Sequence, residues 1–445
     1  MRAGEHLQSF FRPWISRRGG VALEVAKSLG IRGRAGVQNS EAKETATAVM
    51  LANLFYDHTI SISHRASYYS RYKRIYIPSW HTLANVLFAE NELLEAELII
   101  PLPGVQGVSS SVVFATPLLF SMFDGGEAPF MMEKDLVQMR VGRKKDKRPA
   151  PCPDNAFTRG RKRDLEELNE FSREANFSFN PNVTLQTQLH KHPLYTSSSP
   201  YGMDSLKSTF TIDYSTISRP LNQSMHTVFN NDLEHGGRLY TSAGVQNIKR
   251  AERKTVTING SETSEPDFSA YHLRMLYAMV GIQYNDDGYL AVAEELGSLK
   301  LRPLVKLCFN TAINATEKEY SGGVINRLNE LTKSIESDKV AEGKLCWDLM
   351  EEYDVTPNQI LEQLKVTHRD IAHYLATGIG AELQKLDGQI ILDIGLGLKA
   401  DLIHSAGVHD SIIVADEHLT KTVDMMHEAY SRNMNGFKAV IDIGD

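Results

Sequence analysis

The chain of 445 residues lacks any long apolar run. Nothing in it approaches the roughly 18 to 20 residues needed to cross a bilayer. The N-terminal segment, with Arg12, Arg17 and Arg18, lacks the apolar core of a signal peptide, so no membrane partner is expected. Cysteine is scarce: Cys152, Cys308 and Cys346 stand far apart with no CxxC pair. That excludes a disulfide framework and a zinc module, and the compartment is read as reducing and cytoplasmic. Positive charge is not in excess either. A formal net charge of -7 excludes a uniformly basic coat, so any nucleic-acid surface has to come from local patches. No internal repeat is present, and the glycines of DIGLGLK lack the Gly-Lys-Ser/Thr ending of a phosphate loop. What is there, 42% hydrophobic and 23% charged residues, suits a globular protein of two or three domains.

Taken in order, residues 1–38 carry no strong periodic signal, although Val21 to Leu29 could form a short helix. Ser40, with Glu41 and Glu44 in the first turn, opens a helix over ETATAVMLANLFYDH. Pro78 and Ser79 start another through Asn91, and IIPLPGVQGVSSSVVFATP reads as two β-prone runs around a Pro and Gly turn. Helix, helix, strand, turn, strand is winged-helix order. Arg65, Arg71, Lys73 and Arg74 interleave with Tyr68, Tyr69, Tyr72 and Tyr76. This mixture suits phosphate contact and base stacking, or else the solvated face of a packing domain. The stretch from Arg140 to Arg163, rich in Lys, Arg and Pro, reads as an exposed linker, either merely solvated or holding a phosphate backbone. A short helix is expected over Asp164 to Ala175, followed by extended or looped chain to Gln223.

Further on, helices are expected at Tyr289 to Leu296, Leu301 to Ala315, Val324 to Ser337 and Gly343 to Tyr353. Thr356 caps another, with Pro357 at its first position. His368 to Leu398 reads as a long helix interrupted near Gly378 and Gly380, Leu419 to Asn433 as a helix, and FKAVIDI as a strand. The fold class is α+β.

Two acids hold positions that chemistry can use. Asp267 lies where a strand ends and a helix begins, and Asp410 lies in a turn before the run Ile412 to Val414. Carboxylates on neighbouring strands can hold a pair of divalent cations, about 3.5 to 4 Å apart, for phosphoryl transfer. Taken alone, each acid is more often a helix cap or a turn former than a metal ligand. Arg302 and Lys306 are four residues apart, hence on one helix face.

Four segments, in order, resemble the motifs of family A DNA polymerases, the DNA polymerase I class. GRLYTSAGVQNI is similar to the turn and strand preceding that family's palm, and PDFSAYHLRMLYA looks like its motif A. RPLVKLCFNTAINA matches the Arg-x-x-x-Lys core of motif B, and VHDSIIV resembles motif C, close also to the His-Asp-Ser of single-subunit phage RNA polymerases. The likeness covers roughly Asn230 to Asp445.

The resemblance implies a right-hand polymerase palm and fingers behind an N-terminal helical, winged-helix-like domain. It implies catalysis by Asp267, Asp410 and Lys306, with two Mg²⁺ (Mn²⁺ as a substitute) held by Asp267, Asp410 and the Phe268 carbonyl. Arg302, Lys306, His272, Asn310 and Asn314 would meet the nucleotide. Lys306 would neutralise the departing pyrophosphate, unless it is a plain solvated helix charge. Arg238, Gln246, Asn247, Gln384 and His409 would meet nucleic acid. The blander readings are a surface ion pair for Arg238, turn hydrogen bonds for Gln246 and Asn247, helix-surface polarity for Gln384, which shares the helix of GIGAELQKLD with Glu382 and Asp387, and a buried histidine for His409.

His272 stands where the family has a Glu, and Asn310 and Asn314 where an aromatic and a Tyr are expected, which leaves sugar choice open. The expected plan is a DNA-binding domain at 1–139, a linker at 140–163, a thumb-like or connecting region at 164–235 and palm with fingers at 236–445, without a proofreading exonuclease. The expected partners are a DNA (or RNA) primer-template and nucleoside triphosphates. A single-subunit RNA polymerase or primase, and a non-catalytic DNA-binding protein that keeps a palm as scaffold, are the alternatives.

Overall fold

The structure is a computed structural model that describes residues 9–10, 21–32, 34–57, 59–64, 79–102, 111–122, 135–142, 147–180, 184–187, 210–213, 219–248, 250–334 and 337–443. The chain divides into two compact units, each assembled from separated stretches. The first takes Met1–Gln138, Arg148–His226 and Tyr240–Thr263; the second takes Met139–Lys147, Thr227–Leu239 and Ser264–Asp445. Among the described residues no helix is long and apolar enough to cross a membrane.

In the first unit, strand β1 (Ser9–Phe10) precedes helices α1 (Val21–Ser28) and α2 (Ser40–Asp57). Strand β2 (Thr59–Ile62), helix α3 (Leu83–Glu95) and strands β3 (Ile99–Leu102) and β4 (Ser111–Ala115) follow. Helix α2 is buried continuously from Glu44 to Leu54. Its small residues Ala46, Ala48 and Ala52 let α1 and α3 pack closely on it. Glu44 can be buried there because Arg32 Nη2 lies 3.1 Å from its Oε1. The strands form a sheet of order β1-β2-β4-β3, with β2, β4 and β3 antiparallel. The helix-then-hairpin order is the expected one, with β2 interposed. Helix α3 starts at Leu83 because Thr82 accepts the Asn85 N–H. The basic and aromatic positions Arg65, Tyr68, Tyr69, Arg71, Tyr72, Lys73, Arg74 and Tyr76 lie outside the described residues.

The expected linker is in part a helix. Asn155 and Thr158 form a reciprocal capping box, which starts α4 (Ala156–Ser172) well before Asp164. Arg161 is buried, with its guanidinium 5.6 Å from the Phe157 ring centroid. Local cap chemistry outweighs a composition that reads as solvated chain. Strands β5 (Phe177–Phe179), β6 (Arg219–Pro220), β7 (Val256–Ile258) and β8 (Ser261–Ser264) follow, and they pair antiparallel in the order β6-β5-β7-β8. Asn259 and Gly260, both at positive φ, make the two-residue turn between β7 and β8.

The second unit holds strand β9 (Asp267–Phe268), then helices α5 (Tyr271–Met279), α6 (Gly288–Glu295), α7 (Arg302–Asn314), α8 (Glu317–Thr332), α9 (Ser337–Glu352), α10 (Pro357–Thr367) and α11 (Gly380–Ala400). The hairpin β10 (Ser405–Val408) and β11 (Ser411–Ala415), helix α12 (Leu419–Asn433) and strand β12 (Ile441–Asp442) complete it. The strands are antiparallel in the order β10-β11-β9-β12. Helix α11 packs along α12 and onto β10. Helices α6, α8 and α10 gather around α7, which buries Leu304, Val305, Cys308, Phe309 and Ala312. The long segment expected from His368 is broken as read: a 3-10 turn covers Ala372–Tyr374, and α11 begins only at Gly380.

Candidate active site

Of the two expected metal-binding acids, Asp267 lies on a strand that pairs with β11, and Asp410 lies in the turn that leads into β11. Asp267 pairs with Ser411 of β11 on one side and with Asp442 of β12 on the other. The Phe268 N–H donates to the Asp410 carbonyl at 2.9 Å, and the Ile412 N–H donates to Pro266 at 3.1 Å. Asp267 thus faces Ser411, the residue after Asp410, and Asp410 lies in the turn that enters β11. Asp410 is carried by a two-residue turn: Val408 faces Ser411, and His409 takes a φ of 56°. Both turn residues are exposed, so the reading of His409 as a buried histidine is set aside; Asp267 is half-buried. Ser411 Oγ donates to Glu265 Oε1 at 2.7 Å, tying the start of β11 to the residue before Pro266.

After β9 the chain turns through Ser269 and Ala270, the latter left-handed at a φ of 45°, into α5. Arg274, one turn into that helix and only 5% exposed, donates to the carbonyls of Ser269, Tyr284, Asn285 and Asp286. The Tyr271 ring stacks on Phe268 at 4.6 Å and next to His272 at 5.8 Å, with Tyr430 closing the cluster. The Tyr271 hydroxyl is buried without a hydrogen-bond partner among the described residues. Burial, and then the nearby Asp387, Tyr430 and Asp410, push its pKa well above the usual tyrosine value.

Arg238 lies beside α11, where two glycines let backbones meet. A Cβ on Gly388 would fall 2.1 Å from the Gly237 carbonyl oxygen, and Gly237 itself has a φ of 90°. The Arg238 Nε donates to Oδ2 of Asp387, and its Nη2 lies 3.2 Å from His272 Nε2. Asp387 is 1% exposed, so this is a buried pair and not the surface one considered from sequence. Gln384 is half-buried on α11, three residues before Asp387.

Arg302, Lys306, Asn310 and Asn314 follow each other at four-residue spacing along α7. Lys306, Asn310 and Asn314 are exposed while the opposite face is core. Arg302 Nε donates to Asp287 Oδ2 at 2.7 Å, and its guanidinium lies 5.9 Å from the Tyr289 ring centroid. Asp287 also caps α6, its Oδ1 accepting from the Tyr289 and Leu290 N–H groups. Burial pushes the Asp287 pKa up, but the Arg302 hydrogen bond and charge together with these two donors outweigh it, and the net shift is downward.

Gln246 and Asn247 belong to the other compact unit. There they make turn hydrogen bonds, Gln246 Oε1 accepting from the Thr241 N–H at 3.0 Å and Asn247 Oδ1 from Thr241 Oγ1 at 3.4 Å.

Asp287, Arg274 and Tyr271 are not picked out from sequence, and Asp387 is named there only as a helix neighbour of Gln384, without a role. The Gly237 and Gly388 pair is the signal that could have tied Asp387 to Arg238. Tyr271 is an ordinary apolar helix position until its ring is seen between Phe268 and His272.

Among the described residues no cluster of three or more His, Cys, Asp or Glu side chains has metal-holding geometry. Two carboxylates and a main-chain carbonyl are all oxygen donors. That set fits Mg²⁺, which keeps several waters and is held by one or two carboxylates plus substrate phosphates.

No family model matches the chain, and no curated protein does. Among solved structures, it is similar to the POL domain of Pol1 from M. smegmatis in complex with DNA primer-template and dNTP. The identity is 15%, the match covers 49% of this chain and 47% of that one, and the TM-score is 0.24. The chain thus spans about half the length of that structure. A likeness of this size fixes neither fold nor chemistry.

Proposed function

We propose that the chain is a template-directed nucleotidyltransferase of DNA polymerase type, extending a 3′-hydroxyl with nucleoside triphosphates. The observation that carries this reading is the pairing of β9 with β11, which brings Asp267 next to the turn that carries Asp410, the Phe268 N–H donating to the Asp410 carbonyl. Its second support is the motif order described from sequence. Mg²⁺ bound at Asp267, Asp410 and the Phe268 carbonyl would supply charge neutralisation at the transferring phosphoryl group and a lowered pKa for the attacking hydroxyl.

The chain's own residues have separate tasks in this reading. Lys306, exposed on α7, binds the triphosphate and neutralises the departing pyrophosphate. Arg302 binds beside it, and Asp287 orients its guanidinium through Nε. Both cations need to be in place before reaction, since phosphoryl transfer is mostly a matter of positioning and charge. Arg238 reads minor-groove acceptors that every base pair offers, and His272 meets the nucleotide sugar. The helices and hairpin of the first unit are assigned to DNA contact.

The test is primer extension by the purified chain with Mg²⁺, offering deoxynucleotides and ribonucleotides side by side. Incorporation of either is expected, with a preference that decides between DNA polymerase and RNA polymerase or primase. Asp267→Asn and Asp410→Asn are each expected to lower kcat by about a thousandfold or more without changing the thermal melt. Activity retained in either variant would remove the two-metal assignment. Mg²⁺-nucleotide binding without incorporation, or neither, would favour the scaffold alternative.

A further inference from the structure

Three polar side chains distant in sequence meet around the buried Asp387, with Arg238 and His272 partly exposed. Asp387 Oδ2 receives Arg238 Nε, Arg238 Nη2 lies 3.2 Å from His272 Nε2, and that same imidazole nitrogen lies 3.9 Å from Asp387 Oδ2. A guanidinium has donors only, so the Nη2–H donates and His272 Nε2 accepts. The contact therefore selects the neutral imidazole with its proton on Nδ1. The order of control runs outward from the acid. Asp387, 1% exposed, cannot turn to water and faces the Arg238 guanidinium. Arg238 is held to it by the backbone approach at Gly237 and Gly388, and His272 takes its orientation from Arg238 and from the stack on Tyr271.

We propose that Asp387 is a positioning residue that locks Arg238 and His272 into one unit, so that the group facing the nucleic-acid groove and the group facing the nucleotide sugar are set together. This coupling rests on the nucleotidyltransferase reading, whereas the His272 tautomer it requires does not. A primer terminus of the wrong shape that pulls Arg238 away also releases His272. Mispairing and sugar placement then communicate through one contact, and the two binding events share a coupling free energy. Asp387 itself touches neither ligand and acts through Arg238.

The experiment has two readouts on the full chain. With ¹⁵N-histidine labelling, and His272→Gln to assign the resonance, wild type is expected to show His272 Nε2 unprotonated. Asp387→Asn, which preserves volume, is expected to give a mixture of tautomers. Arg238→Lys keeps a charge against Asp387 but cannot donate from two nitrogens, and it is expected to release the tautomer as well, even if Asp387→Asn does not fold. A wild-type imidazole protonated on Nε2, or an unchanged tautomer in both variants, overturns the proposal.

The second readout is kcat/KM for the nucleotide in Arg238→Ala, His272→Ala and the double variant. The effects are expected to be non-additive by about tenfold, as for residues in contact, and additive once Asp387→Asn is present. Additivity in the wild-type background overturns the coupling. If the wild-type chain incorporates no nucleotide at all, the nucleotidyltransferase reading fails, and the tautomer measurement still decides the role of Asp387.

Discussion

Arg274 supports the candidate site without facing it. Its guanidinium gathers the Ser269 carbonyl, just after β9, and the Tyr284, Asn285 and Asp286 carbonyls before α6. The turn that follows Asp267 is therefore clamped to the loop that leads to Asp287. Burial lowers the Arg274 pKa, with neighbouring Tyr430 and Asp287 opposing that shift. Arg274→Ala would leave four carbonyls without their shared donor, two of them on the exposed residues Asn285 and Asp286. The expected cost is about 1 to 3 kcal/mol. Urea unfolding measures it, and a loss below about 1 kcal/mol would show that water replaces the guanidinium. Asp267, Asp410, Arg302 and Lys306 could be picked out from sequence because each stands in a short local pattern. The pairing of Asp387 with Arg238 could not, because the two are 149 residues apart and such a pair leaves no local spacing.

Among the elements, α11 shows the same split between local and distant causes. Its start and the break before it follow from Gly378 and Gly380. Its placement depends on Gly388, where a Cβ would meet the Gly237 carbonyl oxygen at 2.1 Å and the Arg238 Cα at 3.1 Å. Both obstacles are backbone, so Gly388→Ala has to move the strand Gly236–Ala243, which carries Arg238, off the helix. The expected result is a loss of about 3 kcal/mol, at the upper end for overpacking, together with a loss of nucleotide incorporation. Gly322 on α8 is the control: it is exposed, and a Cβ there meets nothing within 4 Å. Gly322→Ala is expected to stabilise by about 0.5 to 1 kcal/mol through helix propensity. Paired thermal melts check both, and destabilisation by Gly322→Ala or tolerance of Gly388→Ala would refute the packing argument. Helix α12 matches the expected Leu419 to Asn433 because its periodicity is local. The last strand is shorter than FKAVIDI, only Ile441–Asp442, because its partner β9 has two residues to offer. The start of α4 was missed because a two-residue capping box is outvoted by the charge around it.

For the molecule as a whole, each compact unit is built from interleaved stretches of chain, which a reading in consecutive domains cannot express. The units also carry separate acid sensitivities. In the second, His368 is 1% exposed, accepts at Nδ1 from the Tyr277 hydroxyl at 2.9 Å and donates from Nε2 to the Gly288 carbonyl at 3.0 Å. That pattern uses the neutral ring, and burial holds its pKa below 6.5, against the opposing Gly288 bond. In the first, burial lowers His81 to about 4. A histidine whose folded pKa is depressed binds its proton more readily when unfolded, so stability is whole above pH 6.5 and declines as pH falls below it. For His81 the decline levels off near pH 4. His64 acts in the opposite sense: its hydrogen bond to Glu90 raises the pKa against desolvation, so its contribution is present below pH 6.5 and lost as pH rises through the raised value. His368 is therefore followed by difference against its own variant. Its contribution to the unfolding free energy of the chain is expected to fall between pH 6.5 and 5 by at most about 1.4 kcal/mol per pH unit. That range lies above the region where Asp287, with its lowered pKa, takes up a proton. Urea midpoints at pH 7, 6 and 5 for wild type and His368→Gln test this. The variant is expected to be less stable at pH 7 but flatter across the series, and an equal slope in both proteins would show that His368 is not the group being titrated.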